Sequence, residues 1–160
     1  MLKDNQIKIL MLVHELEKTL AEIYELFAEK FPEHTTLWQT LIKEEQEHAE
    51  AVRKLYKLTY ERQASFAEGI IKVEGVQSII DYAKSVGEAA KLGKFTALQA
   101  LTKAHEIEKS LIEREIFGHF RVSSQFTDML RYLHDGSQNH VQLTKNELDK
   151  AARHLTKQKG

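Results

Sequence analysis

Between positions 37 and 55 the chain carries a helical stripe with a contradiction in it. Trp38, Leu41, Glu45, His48, Val52 and Leu55 are spaced alternately by three and four residues, so at 3.6 residues per turn they share one face of a helix. That face should be buried. Its middle two members, however, are a carboxylate and an imidazole one turn apart, and buried charge is costly unless it is paired or binds a metal. A chain with this stripe must fold so that other polar groups, or a cation, arrive at the same place.

The remainder of the chain supplies stripes of the same kind. Leu10, Val13, Leu20, Tyr24, Phe27 and Phe31 share one face, and the position missing from that series is Glu17. A first helix is predicted over about 5–30, capped by Asp4 and stopped by Pro32. Thr36 and Gln39 fit a capping box that opens a second helix over about 37–62. So short a connection makes the two helices antiparallel neighbours. Positions 67–75 read as irregular, and a shorter helix over about 76–92 stops at Gly93. This middle segment is too long for a tight turn and suits a crossover along a bundle. A second capping box, Thr96 with Gln99, opens a helix over about 97–120 with Leu101, Ala104, Glu108 and Leu111 on its seam. After a short break with a serine cap at 121–124, a last helix is predicted over about 125–156, with Asp135-Gly136 as its weak point.

Composition supports long helices and narrows the chemistry. One proline and seven glycines in 160 residues leave few breakers. The predicted fold is therefore all-α, in a single domain over 1–160. Cysteine is absent, which removes disulfides, thiolate nucleophiles and Cys-type metal sites. Any metal must be held by oxygen and nitrogen. A net charge of -1 gives no electrostatic reason for a nucleic-acid or membrane partner. With no apolar run near about eighteen residues and no signal-peptide pattern, a soluble, cytoplasmic protein is expected.

An internal repeat connects the stripes. His14-Glu15-Leu16-Glu17-Lys18-Thr19-Leu20 and His105-Glu106-Ile107-Glu108-Lys109-Ser110-Leu111 match identically or conservatively at every position. Glu17 is thereby equated with Glu108. Shifted by one further residue, Gln46-Glu47-His48 aligns with Gln138-Asn139-His140, which sets His140 opposite His48 and Ser137 opposite Glu45.

These residues resemble the ferritin-like di-iron carboxylate proteins, and among them the four-helix domain of the rubrerythrins. The pattern of that family is a glutamate from each of two helices plus a Glu-x-x-His from each of the other two, all directed into the bundle. The resemblance implies a ferritin-like antiparallel four-helix bundle with a long crossover containing a short helix between helices 2 and 3. It implies metal ligation by Glu17, seven residues before Tyr24, by Glu45 and His48, with Trp38 seven before Glu45, by Glu108, and by His140. It also implies iron, as one or two ions, with oxidoreductase chemistry toward oxygen or peroxide, an electron donor of unknown identity, and a homodimer. Carboxylate and imidazole donors suit iron, manganese and zinc alike, and geometry selects among them.

The chain departs from the family pattern at Ser137, where a glutamate is expected, and at Leu111, where rubrerythrins carry a further glutamate. With no cysteine among these residues, the cysteine-rich electron-transfer domain that many rubrerythrins carry is not expected here. With three carboxylates in place of four, either one firmly held ion or an asymmetric pair is expected. The rival expectation is a degenerate ferritin-like module, non-catalytic, with a structural or partner-binding role. Of the other candidates, Glu115 lies two turns from Glu108, too far to share its metal, and is read as solvent-facing or paired. His14 and His105 flank the two repeat glutamates without ligating. His34, His119, His134 and His154 are read as surface residues, and Tyr24 as a packed core tyrosine.

Overall fold

A computed structural model of the chain describes residues 4–67, 69, 71–110 and 113–160, and these are overwhelmingly helical. Helix α1, Asp4–Lys30, buries Leu10, Val13, Leu16, Glu17, Leu20, Tyr24 and Phe27, the stripe anticipated from its spacing. Asp4 is itself helical and so does not stand before the helix as its cap. At Pro32 the chain tightens into a 3₁₀ turn, Pro32–His34, that runs directly into α2, Thr35–Tyr60. The capping box expected at Thr36 and Gln39 does not form. The turn starts the helix one residue before Thr36, whose own backbone is already helical, and no side chain caps at His34.

What fixes this corner is aromatic packing. Trp38 is fully buried, stacks on Tyr24 with ring centroids 6.1 Å apart and lies 5.2 Å from Phe27. Its indole Nε1 donates to the Phe31 carbonyl at 3.1 Å, which closes the turn. His34 is drawn into the same corner. It packs edge-on to Trp38 at 6.5 Å and hydrogen-bonds Glu147 at 2.8 Å, so it is not the bare surface residue the sequence implied.

After α2 the chain takes a left-handed residue at Arg62, with φ of 63°, and forms strand β1, Ala64–Ser65. This strand pairs antiparallel with β2, Arg121–Val122, in the register Ala64 to Val122 and Ser65 to Arg121. Arg121–Val122 falls in the short break expected at 121–124, and Ala64–Ser65 between the expected end of the second helix and the segment read as irregular. The pairing is fastened by Ser123, whose backbone N–H and hydroxyl both donate to the Gln63 carbonyl, and by Phe66 stacked on Phe120 at 4.6 Å. Ser123 spends its hydroxyl on this contact and caps no helix.

Helix α3, Val73–Lys91, begins three residues earlier than its periodicity implied and lies against α1. Gly87 permits the close approach: a methyl there would meet Ile23 at 3.4 Å. Gly93, at φ of 69°, ends the segment as expected, with the Lys94 N–H returning to the Ala89 carbonyl at 3.1 Å. The capping box of α4, Ala97–Ser110, forms as its sequence requires. The Gln99 side chain accepts from the Thr96 N–H at 2.9 Å and the Thr96 hydroxyl accepts from the Gln99 N–H at 3.2 Å. Helix α5, Glu113–Gly118, lies within the segment expected to be one helix to 120 and ends two residues before that bound. Leu111, placed on that seam from the sequence, lies outside the described residues.

Helix α6, Thr127–Gln158, is continuous through Asp135-Gly136, so the anticipated weak point is no break. The helices run in opposed directions where they touch. Tyr24 meets Trp38 while the earlier Glu17 lies beside the later His48. His105 meets Thr144 while the later Glu108 lies beside the earlier His140. Along α2 and α6, His34 pairs with Glu147, Glu44 with His140 and Glu47 with Tyr132. No helix among the described residues is long and apolar enough to cross a membrane.

Gly136 has a packing reason to be glycine. A Cβ built there would sit 2.4 Å from Nε2 and 2.6 Å from Cε1 of His48. Alanine at an open helical glycine ordinarily stabilises by about 0.4–1 kcal/mol, and Gly75→Ala, where nothing lies within 4 Å, is expected to do so. Gly136→Ala is expected to destabilise by about 1–3 kcal/mol, because His48 is boxed in by the core and must leave its rotamer. Urea denaturation of the two variants checks the opposite signs.

Candidate metal centre

The five residues singled out by their spacing converge in space. Glu17 from α1, Glu45 and His48 from α2, Glu108 from α4 and His140 from α6 are all at most 2% exposed. Each is there because it replaces one apolar member of a buried stripe, so the helix that buries its apolar neighbours buries it too. Ser137, one turn before His140, is buried among them at 5% exposure.

Both imidazoles turn Nδ1 inward. His48 Nδ1 lies 3.5 Å from Glu45 Oε2 and 3.8 Å from Glu17 Oε2. His140 Nδ1 lies 3.0 Å from Glu45 Oε1 and 3.6 Å from Glu108 Oε2. The two rings stack with centroids 5.1 Å apart. Glu45, His48 and His140 offer three donor atoms that all lie within 4.8 Å of one another, a buried group able to hold a metal ion. Glu45 stands at the middle, touching both histidines.

Several polar atoms here lack a conventional partner. Neither oxygen of Glu45, nor Oε2 of Glu108, nor Nε2 of His48 receives a hydrogen bond of good geometry among the described residues. Buried polar atoms are nearly always satisfied, and the orphaned oxygens of Glu45 and Glu108 face the same small volume. The donor set fits a divalent transition ion: carboxylate oxygen and imidazole nitrogen, with thiolate excluded by composition.

The buried charges of the cluster shift one another's titration. Burial alone would push Glu45 up, yet contact with Glu17, His140 and His48 and the positive charge of His140 hold its carboxyl well below the ordinary range. Glu108 moves the other way, raised by burial and by the charge of Glu45. Burial alone would lower His140, but Glu108 and Glu45 outweigh it and push the imidazole up to about 12.

Three supporting residues escaped the sequence reading. Glu44 accepts from His140 Nε2 at 2.7 Å, which fixes the ring and leaves Nδ1 facing the cluster. Its signal was adjacency to Glu45, hidden because Glu47 and Glu50 make the helix glutamate-rich in any case. Tyr132 packs edge-on to His48 at 5.2 Å and donates to Glu47 at 2.7 Å. Gly136 makes the space that the His48 ring occupies. Tyr24, read only as core packing, donates its hydroxyl to Glu108 Oε1 at 2.5 Å and so ties α1 to α4 through the cluster.

The remaining candidates fall outside it. His105 hydrogen-bonds the Thr144 hydroxyl at 3.1 Å, and that hydroxyl donates to the His140 carbonyl at 2.8 Å, so His105 supports the helix carrying His140. His14 is half-buried, Glu115, His119 and His154 are exposed, and His134 contacts only its neighbour Asp135 among the described ion pairs.

Compared with protein-family models, with curated proteins and with solved structures, the chain matches none. For the metal-free protein the signs are opposite at the two ends of the pH range. The fold favours ionised Glu45, so that contribution is complete above about pH 4.5 and is lost as pH falls. The fold favours protonated His140, so its contribution is complete below about pH 6.5 and is lost as pH rises toward 12. In thermal melts followed by circular dichroism with a chelator present, the Tm advantage of wild type over His140→Asn is expected to narrow steadily above pH 6.5. A constant gap between pH 6 and 9 would contradict this assignment.

Proposed function

We propose that this chain is a ferritin-like four-helix-bundle protein whose function is to bind a divalent transition metal, with iron as the resident ion and oxygen or peroxide as the species it acts on. The observation that carries the reading is the convergence of Glu17, Glu45, His48, Glu108 and His140 on one buried volume, in which both Glu45 oxygens and Oε2 of Glu108 have no hydrogen bond of good geometry among the described residues. Two antiparallel pairs, α1 with α2 and α4 with α6, and α3 lying along α1 in the connection between them, support the bundle-with-crossover architecture.

In this reading Glu45 would be the central ligand, because its two oxygens face the two histidines. Glu17 and Glu108 close the cluster from opposite helices, and His48 and His140 contribute Nδ1. Bound iron would supply reversible one-electron chemistry. The protein's part is to keep the volume dry, to orient His140 through Glu44, and to hold a proton near Glu108 through the Tyr24 hydroxyl. Ligation would require His140 without its proton on Nδ1, so metal uptake would release protons and tighten as pH rises.

A second reading has its own observation. Ser137 is buried where a fourth carboxylate would stand, and protonated His140 already offsets part of the negative charge. On that basis the cluster is a self-sufficient ion-pair network in a module that no longer catalyses. Replacing one member of such a network is strongly destabilising, whereas the intact network adds little net stability.

Anaerobic reconstitution of metal-free, untagged protein with iron(II), followed by desalting and elemental analysis, separates the two. The metal-binding reading expects about one ion per chain, lost in Glu45→Ala and His48→Ala. It also expects about 2.7 kcal/mol of added stability at free metal near 100 times Kd. Ser137→Glu is expected to add a second ion. Wild type that binds none while Ser137→Glu binds two would establish the second reading. Absence of metal in both, with Glu45→Ala as stable as wild type, would sink the first. Oxygen consumption by the iron-loaded protein tests the redox component.

A further inference from the structure

The ligands of the cluster are almost completely buried, so a cation must have a way in. One wall of the cluster differs from the others. At Gly136 helix α6 presents no side chain, and over this gap lies a cavity of about 330 Å³ between α2 and α6, bordered by Glu44, Asp128, Tyr132, Asp135 and His48. The other bordering side chains reach solvent to some degree, but His48 is 2% exposed and forms the floor.

His48 makes this more than an acidic depression on the surface. Its Nδ1 faces Glu45 and Glu17 in the cluster. Its Nε2 is the atom nearest the bare Gly136 position, is buried, and has no hydrogen-bond partner among the described residues. The imidazole is thus the wall between cavity and cluster, with a nitrogen on either side. Glu44 spans the same wall, a third exposed at the mouth while its Oε2 accepts from His140 Nε2 inside.

The rim has the charge a cation requires. Asp128 is 96% exposed and Asp135 60% exposed, and with Glu44 they set three carboxylates around the opening. Arg131, 3.5 Å from Asp128, is the one arginine or lysine on the border among the described residues. Carboxylates capture hydrated divalent cations readily, and like-signed rims concentrate counter-ions and raise their arrival rate.

We propose that the cavity over Gly136 is the mouth through which a divalent cation reaches the buried cluster, gathered by Glu44, Asp128 and Asp135 and passed inward along the Nε2 edge of His48. This rests on the metal-binding reading above, and gives the site a direction: ions arrive between α2 and α6, on the side away from α3. Gly136 serves two ends, room for the ring and an opening beside it.

The test follows the rate of loading. Metal-free protein is mixed with cobalt(II) chloride in a stopped-flow instrument and followed by the fluorescence of Trp38, the sole tryptophan, and by visible cobalt absorbance. The double variant Asp128→Asn, Asp135→Asn is expected to load about tenfold more slowly at low ionic strength. The difference is expected to close at high salt, as the rim charges are screened. The amount of cobalt finally bound should equal that of wild type. Removing two exposed carboxylates from α3, by Asp81→Asn and Glu88→Gln, should leave the rate unchanged. Equal rates for wild type and the rim variant, or equal slowing by the α3 variant, overturn the mouth while leaving the cluster a metal site. A lower final amount of cobalt in the rim variant also overturns it, because the aspartates would then be ligands. Wild type that takes up no cobalt overturns the metal reading itself, and the mouth with it.

Discussion

Three carboxylates and two imidazoles share one buried volume where α1, α2, α4 and α6 meet, and the rest of the molecule is arranged around that constraint. Isolated, any of these groups would cost several kcal/mol to bury. Together they are held by mutual attraction, with Glu45 kept ionised between His48 and His140. The Tyr24 hydroxyl on Glu108 and the Glu44 carboxylate on His140 extend that polar centre to its neighbours. The hydrophobic core above and below, with Trp38, Phe27 and Leu101 fully buried, excludes the water that would otherwise screen the charges.

This arrangement places a requirement on each helix that its apolar periodicity does not state. Helix α2 must carry Glu44 as well as Glu45, one residue facing outward to hold His140 and the next facing inward. Helix α6 must omit a side chain at Gly136, since any Cβ there would collide with His48. Helix propensity alone would put alanine in that position. The cost of glycine within a 32-residue helix is accepted because the alternative displaces a buried imidazole.

Much of this was legible in the chain itself. The stripes in α1 and α2 appeared because three-and-four spacing follows from helical pitch, and their polar members stood out against apolar neighbours. The repeat between positions 14–20 and 105–111 linked Glu17 to Glu108 before any coordinates. Gly93 as a stop and the Thr96–Gln99 box were legible because both act within a few residues. The Thr36–Gln39 box failed for the same reason that such signals are local: Pro32 starts a 3₁₀ turn upstream and pre-empts it. The pairing of Ala64–Ser65 with Arg121–Val122 left no periodic trace, because two residues are too short to show one.

The sequence by itself determined that the chain is helical, which residues lie on buried faces, and that Glu17, Glu45, His48, Glu108 and His140 are polar members of those faces. These follow from the 3.6-residue period and the cost of burying charge, both properties of a single segment. Only the tertiary structure decided that His34 packs on Trp38 and pairs with Glu147, that Glu44 holds the outer nitrogen of His140, and that Gly136 opens onto His48. Each of these depends on the rotation and height of one helix against another. Side-chain packing between segments sets those quantities, and no single segment encodes them.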